Sequence, residues 1–227
     1  MNFIRNRNFR AGPQTSLEGF ICPQNSDKQQ KIKVFGRSVG GVIRLVESQL
    51  FKLKLRRASA HERAELMRNQ FYFLGKNVEL YTLSFGTEPY LISIHDNVIC
   101  AHDVDFVNHD VSVFNAAQYL GLRRGDIDKV GSIELFENCF VGARTILMPN
   151  SSVGKNSIVA AGSIVTKHIP DNEVWGGVPA KFIMKVEDYF AKIQIQSEKY
   201  PWMPLEKKNK MSESELIRAR QQYFFEK

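Results

Sequence analysis

A chain of 227 residues that is 43% hydrophobic has room for one core of ordinary size and an accessory segment. Three cysteines, Cys22, Cys100 and Cys139, are an odd number that argues against a disulfide framework, and no apolar run is long enough to span a membrane. The net charge of +7 is unevenly placed, because residues 1–57 hold 12 Lys or Arg against 3 Asp or Glu, leaving 19 against 21 in the rest.

Residues 1–38 show no periodicity and contain Gly12-Pro13, Cys22-Pro23 and a Gln/Asn/Lys-rich stretch, as expected of a loosely ordered basic arm. Such an arm suits an acidic partner, for instance a membrane surface or an acidic polysaccharide, and a solvated leader accounts for the same composition. No zinc-finger or RNA-binding motif is present, so nucleic acid is not an expected partner. The polar, basic opening MNFIRNRNFR does not read as a signal peptide, and with the odd number of cysteines a cytoplasmic location is expected.

An N-terminal helical region is expected over 39–75. Val42, Ile43, Val46, Leu50 and Leu53 mark one helical face, and Lys52, Lys54, Arg56 and Arg57 lie at the end where the helix dipole favours cations. This helix either packs on the rest of the chain or lies on a membrane surface. Ser59 and Glu62 form a capping-box pattern that opens a second helix, with Ala60, Ala64, Met67, Phe71 and Leu74 on one face and Gly75 just past the end.

The centre of the chain is a repeat. From Leu135 an aliphatic residue returns at every sixth position through Val141, Leu147, Val153, Val159 and Val165, and Cys139, Thr145, Ser151, Ser157 and Ser163 keep the same spacing. A period of six fits neither a helix nor an ordinary strand. It implies short straight segments joined by regular corners, three to a coil, stacked about 4.8 Å apart as a parallel β-helix. An earlier block begins near Val78, breaks at Gly86–Pro89, and resumes with Ile94, Cys100 and Phe106, Val98 and Val104 filling the second position. Register is lost after Phe106 and regained at Ile133, so residues 107–131 read as an excursion from one corner of the 76–180 coil. Pro170 is expected to break the last coil. A C-terminal helical extension over 181–227 follows, with a helix from Val186 to about Gln196 and another opened by the Ser212/Glu215 capping box.

The stretch VGARTILMPNSSVGKNSIVAAGSIVTKHIPDNEVWGGVPAKFI resembles the last coils of the hexapeptide-repeat acyltransferases, and EPYLISIHDNV with VNHDVSVF is most similar to their capsular-polysaccharide and sugar O-acetyltransferases. The resemblance covers roughly residues 76–195. It implies a mainly β fold, a left-handed parallel β-helix flanked by N- and C-terminal α-helices, and transfer of an acetyl group from acetyl-CoA to a hydroxyl of a sugar, a surface or capsular polysaccharide unit. It also implies a homotrimer with its active sites between subunits.

His109, at the root of the excursion in VNHD, matches the family histidine that acts as general base in a motif similar to THD, with Asn108 in place of the usual Thr. An imidazole suits that task near neutral pH. Asp110 is the candidate orienting residue. For the coenzyme, the resemblance implies the small residues Ala143, Ala161 and Gly162, the Thr166-Lys167 pair, and Lys181 or Lys185 as phosphate donors, Met184 standing where relatives carry Arg. His95 stands where the family has Gly and His168 where Asp is common, and both are expected on the surface. His95, His102 and His109 recur every seven residues, each followed by Asp, which invites a zinc reading of the kind seen in the γ-class carbonic anhydrases. A spacing of seven on a six-residue coil moves each to a different face, so one chain does not bring all three to one ion, a subunit interface being the remaining route, and no metal is expected. N-acetylation of an amino or nucleotide sugar stays open beside O-acetylation, as does a non-enzymatic β-helix.

Overall fold

The computed structural model describes residues 39–226. The expected basic arm, 1–38, lies outside the described residues, as does Cys22. Helix α1 (Val39–Arg57) and helix α2 (Ala60–Met67) come first. The first coil contributes β1 (Phe73–Leu74) and β2 (Glu79–Leu80), and the second β3 (Ile92–Ile94), β4 (Ile99–Cys100) and β5 (Asp105–Phe106). After helix α3 (Val113–Tyr119), the third coil holds β6 (Ile133–Leu135), β7 (Phe140–Val141) and β8 (Ile146–Leu147). The fourth holds β9 (Ser151–Val153), β10 (Ile158–Val159) and β11 (Ile164–Val165), and β12 (His168–Ile169) with β13 (Glu173–Gly176) forms a partial fifth. Then come β14 (Lys181–Lys185), α4 (Val186–Glu198), α5 (Leu205–Lys208) and α6 (Glu213–Phe225).

Three sheets run along the coil, ordered β1-β3-β6-β9-β12, β2-β4-β7-β10-β13 and β5-β8-β11, with every neighbouring pair parallel. The six-residue period is what stacks them. Ile133 pairs with Ser151 and Ile146 with Ile164, an offset of 18 residues, which is three six-residue sides. Leu135, Val141, Leu147, Val153, Val159 and Val165 are all buried in the column, and Cys139, Thr145, Ser151, Ser157 and Ser163 are buried at the corners. Departures from 18 mark special places. The first two coils are offset by 20, from two extra residues near Gly86–Pro89, and the second and third by 41, from the excursion. Residues 152 and 168 pair at an offset of 16, so the corner at Thr166-Lys167 is two residues tighter.

Between the first and second sheets, the corners carry a ladder of asparagines. Asn77, Asn97, Asn138, Asn156 and Asn172 each hold φ between 54° and 61°, and the side-chain amides of the first four each donate to the next asparagine's oxygen at 2.9–3.1 Å. Asn is the non-glycine residue best suited to this left-handed conformation, because its short side chain bonds locally.

Several expectations change. The second helix keeps its capping box but stops at Met67, with Arg68 as C-cap, and Phe73–Leu74 is already the first strand. Arg68 Nη1 donates to the Leu74 carbonyl at 2.6 Å, so the chain bends where a longer helix was expected, and Leu74 enters the column with Leu80. Gly75 is therefore a coil corner. A Cβ there would collide with Asp96 Oδ1. Pro170 sits at a corner without ending the coil, since its ring needs no hydrogen bond there, and β13 pairs with β10 beyond it before β14 returns antiparallel. The expected apolar face of α1 also differs at its described end. Leu55 is buried and Phe51 packs on the core, and Leu50 and Leu53 are 60% and 44% exposed.

Candidate active site

The excursion leaves the coil immediately after β5, and its two limbs are joined at the root. His109 and Val130 form an antiparallel bridge, the Asp110 amide donates to the Lys129 carbonyl at 2.9 Å, and the Gly131 amide donates to the Asn108 carbonyl at 2.9 Å. Between these limbs Asn108 is fully buried. Its side-chain amide donates to the Glu88 carbonyl at 2.6 Å, and its Oδ1 accepts from the Glu88 amide at 3.3 Å. The interruption at Gly86–Pro89 in the first coil is thereby tied to the root of the excursion in the second. Gly86 makes this approach feasible, at φ +67°, because a Cβ would stand 2.5 Å from both Asn108 Oδ1 and the Phe106 carbonyl.

The result is a carboxylate–imidazole pair. Glu88 Oε1 lies 2.9 Å from His109 Nδ1, both side chains being mostly buried. With Nδ1–H donating to the carboxylate, the neutral ring presents its lone pair at Nε2. Nε2 is buried and makes no hydrogen bond, and Asp128 Oδ1, on the returning limb, stands 3.2 Å away outside hydrogen-bond geometry. The expected orienting contact from Asp110 is not made. Asp110 Oδ2 accepts from Lys129 Nζ at 2.6 Å and its Oδ1 from the Ser112 amide at 3.0 Å. These bonds, Lys129 first, hold its carboxyl well below the usual carboxylate range. Asp110 fixes the loop. Glu88 was not singled out from sequence; the signal for it was the coil's interruption, 20 residues before Asn108 where the first two coils are offset by 20.

The three histidines spaced by seven do not converge. His95 Nε2 lies 2.9 Å from Glu134 Oε1, and its ring sits between Phe73 and Phe136, so it is half-buried in an aromatic stack and not a free surface residue. His102 lies against Tyr81, and the exposed His168 Nδ1 is 2.8 Å from Ser152 Oγ. Among the described residues no group of three or more His, Cys, Asp or Glu is arranged to hold a metal ion.

Residues 132–167 match the family described as bacterial transferase hexapeptide (six repeats). The chain is 40% identical over 110 residues to protein CapG of Staphylococcus aureus, an alignment covering 48% of this chain and 62% of CapG. It is 28% identical over 163 residues to the galactoside O-acetyltransferase of Escherichia coli K12, covering 67% of this chain and 78% of that one. The repeat over residues 132–167 is thus the hexapeptide repeat of bacterial transferases. The coil is a left-handed parallel β-helix with helices at both ends. Among solved structures, a hexapeptide-repeat acetyltransferase of Vibrio cholerae complexed with acetyl coenzyme A aligns at a TM-score of 0.46 and 18% identity, over 68% of this chain and 93% of that one.

In this hexapeptide-repeat chain the coenzyme candidates fall on two different corners. Ala143, Ala161 and Gly162 lie between the second and third sheets, where the Gly162 amide donates to the Ala143 carbonyl at 2.8 Å. Thr166 and Lys167, both exposed, lie between the third and first sheets, on the same corner of the coil that carries His109 two coils earlier. Lys181, at the start of β14, is exposed, and Lys185 Nζ donates to Glu173 Oε1 at 2.7 Å. Lys192 Nζ approaches Met184 Sδ at 3.7 Å, so a cation absent from the sequence reading stands beside that methionine.

Proposed function

We propose that this protein moves an acetyl group from acetyl-CoA to a hydroxyl of a sugar, with His109 as general base. The observation that carries the reading is the His109 imidazole, anchored at Nδ1 by Glu88 and unspent at Nε2. An alcohol is a weak nucleophile until its proton is removed, and a neutral imidazole held in one tautomer can take that proton as the oxygen attacks. The attack forms the new ester C–O bond through a tetrahedral intermediate. Its collapse breaks the C–S bond, and the imidazolium returns the proton to the departing coenzyme thiolate. No covalent enzyme intermediate is needed.

The two-corner distribution of Ala143, Ala161 and Gly162 against Thr166 and Lys167 supports a donor groove shared between copies of the chain, and hence a trimer. Small residues let the pantetheine arm approach the backbone, and Lys181 or Lys185 would meet the coenzyme phosphates, Lys185 by exchanging its bond to Glu173. For the acceptor, EPYLISIHDNV and VNHDVSVF favour a surface-polysaccharide unit, with the excursion over 107–131 as the selecting element. The cytoplasm is the expected location. No helix among the described residues is long and apolar enough to cross a membrane.

Thiol release from acetyl-CoA across a panel of sugars, with wild type and His109→Ala at matched folding, tests the reading. Removing a general base lowers the rate by roughly 10² to 10⁴. Unchanged turnover in His109→Ala would reject the assigned base.

A further inference from the structure

Helix α1 presents two faces over its described side chains. Phe51 and Leu55 turn inward, and the Leu55 carbonyl accepts from the buried Arg63 Nε at 3.0 Å. Leu50, Leu53, Lys54 and Arg57, spaced three and four apart, share the opposite face. Leu50 and Leu53 are 60% and 44% exposed there. Together with His61, Glu65 and Leu66 of α2 they line a groove of about 700 Å³, apolar along its floor.

Lys54 and Arg57 line this groove with Glu62 and Glu65, and Lys52 and Arg56 on the same helix end make the surroundings net positive. Glu62 is engaged in the Ser59 capping box, and Glu65 is paired with Arg68 at 2.7 Å. Lys52, Lys54, Arg56 and Arg57 make no ion pair among the described residues. Two exposed leucines with Lys54 and Arg57 beside them, and Lys52 and Arg56 on the same helix end, form a surface that is apolar and net positive. A ligand complementary to both properties must be apolar and anionic. That pairing is found at the head-group boundary of an acidic bilayer, where acyl carbons lie directly beneath phosphates.

We propose that the outward face of α1 docks this protein on the surface of an anionic phospholipid membrane, Leu50 and Leu53 entering the boundary and Lys54 and Arg57 meeting the phosphates. The association is peripheral, reversible and salt-sensitive, because two leucines bury little area and the charge contacts are screened. It stands independently of the acetyl-transfer reading.

The test is co-sedimentation of the full chain with phosphatidylcholine vesicles, with and without phosphatidylglycerol at about 30% of the lipid. Variants Leu50→Ser/Leu53→Ser and Lys54→Glu/Arg57→Glu are compared with wild type, folding being checked by circular dichroism. Wild type should pellet with the acidic vesicles only and be released by salt, and each variant should bind at least about tenfold more weakly. Three outcomes overturn the proposal. One is wild type staying in solution with acidic vesicles. Another is undiminished binding by both variants, which would move the contact to another segment such as residues 1–38. The third is a change in sedimentation size of the lipid-free variants without loss of vesicle binding, which would make the face a contact between copies.

Discussion

Glu88 Oε1 and His109 Nδ1 are 2.9 Å apart, although 21 residues separate them in the chain, because the two extra residues of the first coil lie beneath the root of the excursion in the second. The carboxylate selects the tautomer whose lone pair is at Nε2. Glu88→Ala should lower kcat about 10- to 100-fold, the usual scale for a partner that orients a catalytic imidazole, and leave KM for acetyl-CoA unchanged. Glu88→Gln keeps an oxygen for Nδ1–H and should lose less. Nitrogen NMR of the ring gives a second readout, since the alanine variant should populate both tautomers. Full kcat in Glu88→Ala would show that the pair is structural.

Gly86 controls whether that pair can form. Alanine at φ +67° is strained, and its Cβ would stand 2.5 Å from the Phe106 carbonyl as well as from Asn108 Oδ1. Gly86→Ala should destabilise the protein by about 1–3 kcal/mol in urea unfolding. It should also lower kcat below what the folded fraction explains, because the 86–88 segment must move away from Asn108 and carry Glu88 with it. Lost stability with unchanged kcat would separate the strain from the site.

The coil was legible because each aliphatic position makes the same demand. Leu135 through Val165 all face one column, so the spacing of six survives in the sequence as it does in the structure. The excursion was legible for the converse reason, as a stretch where the demand lapses. The end of α2 was not, because Phe71 and Leu74 keep helical spacing from Ala64 and Met67 while the chain has already turned to bury them as coil residues. Glu88 was hidden differently. Its partner is fixed by coil stacking, and the interruption at Gly86–Pro89 that marks the place does not name a partner 21 residues further on. Asp110, adjacent to His109, has the nearer sequence position, yet its hydrogen bonds go to Lys129 and Ser112.

The asparagine ladder makes a prediction about stability alone. Asn138 donates to Asn156 at 3.0 Å and accepts from Asn97 at 2.9 Å, at φ +61°. Asn138→Ala removes both bonds and leaves a Cβ in the left-handed region without local compensation, which should cost about 1–3 kcal/mol. Asn138→Gly also loses the bonds but relieves the backbone, so it should cost less. Equal losses in thermal unfolding would mean that the hydrogen bonds matter and the conformation does not.

The buried thiols give the last prediction, with a defined sign. Cys100 is buried in the column and Cys139 at a corner, and burial pushes Cys139 up to about 12 from 9.0 and Cys100 well above its ordinary value. In the folded chain both stay protonated where the unfolded chain would already release protons, so the thiols' contribution to stability should be flat below about pH 9 and fall as pH rises from there toward 12. In a Cys22→Ser background the native protein should not react with a thiol reagent at pH 8, since reaction needs an exposed thiolate, and two thiols should appear on unfolding. Rapid native reaction at either site would mean that the column opens between coils well below the global unfolding free energy.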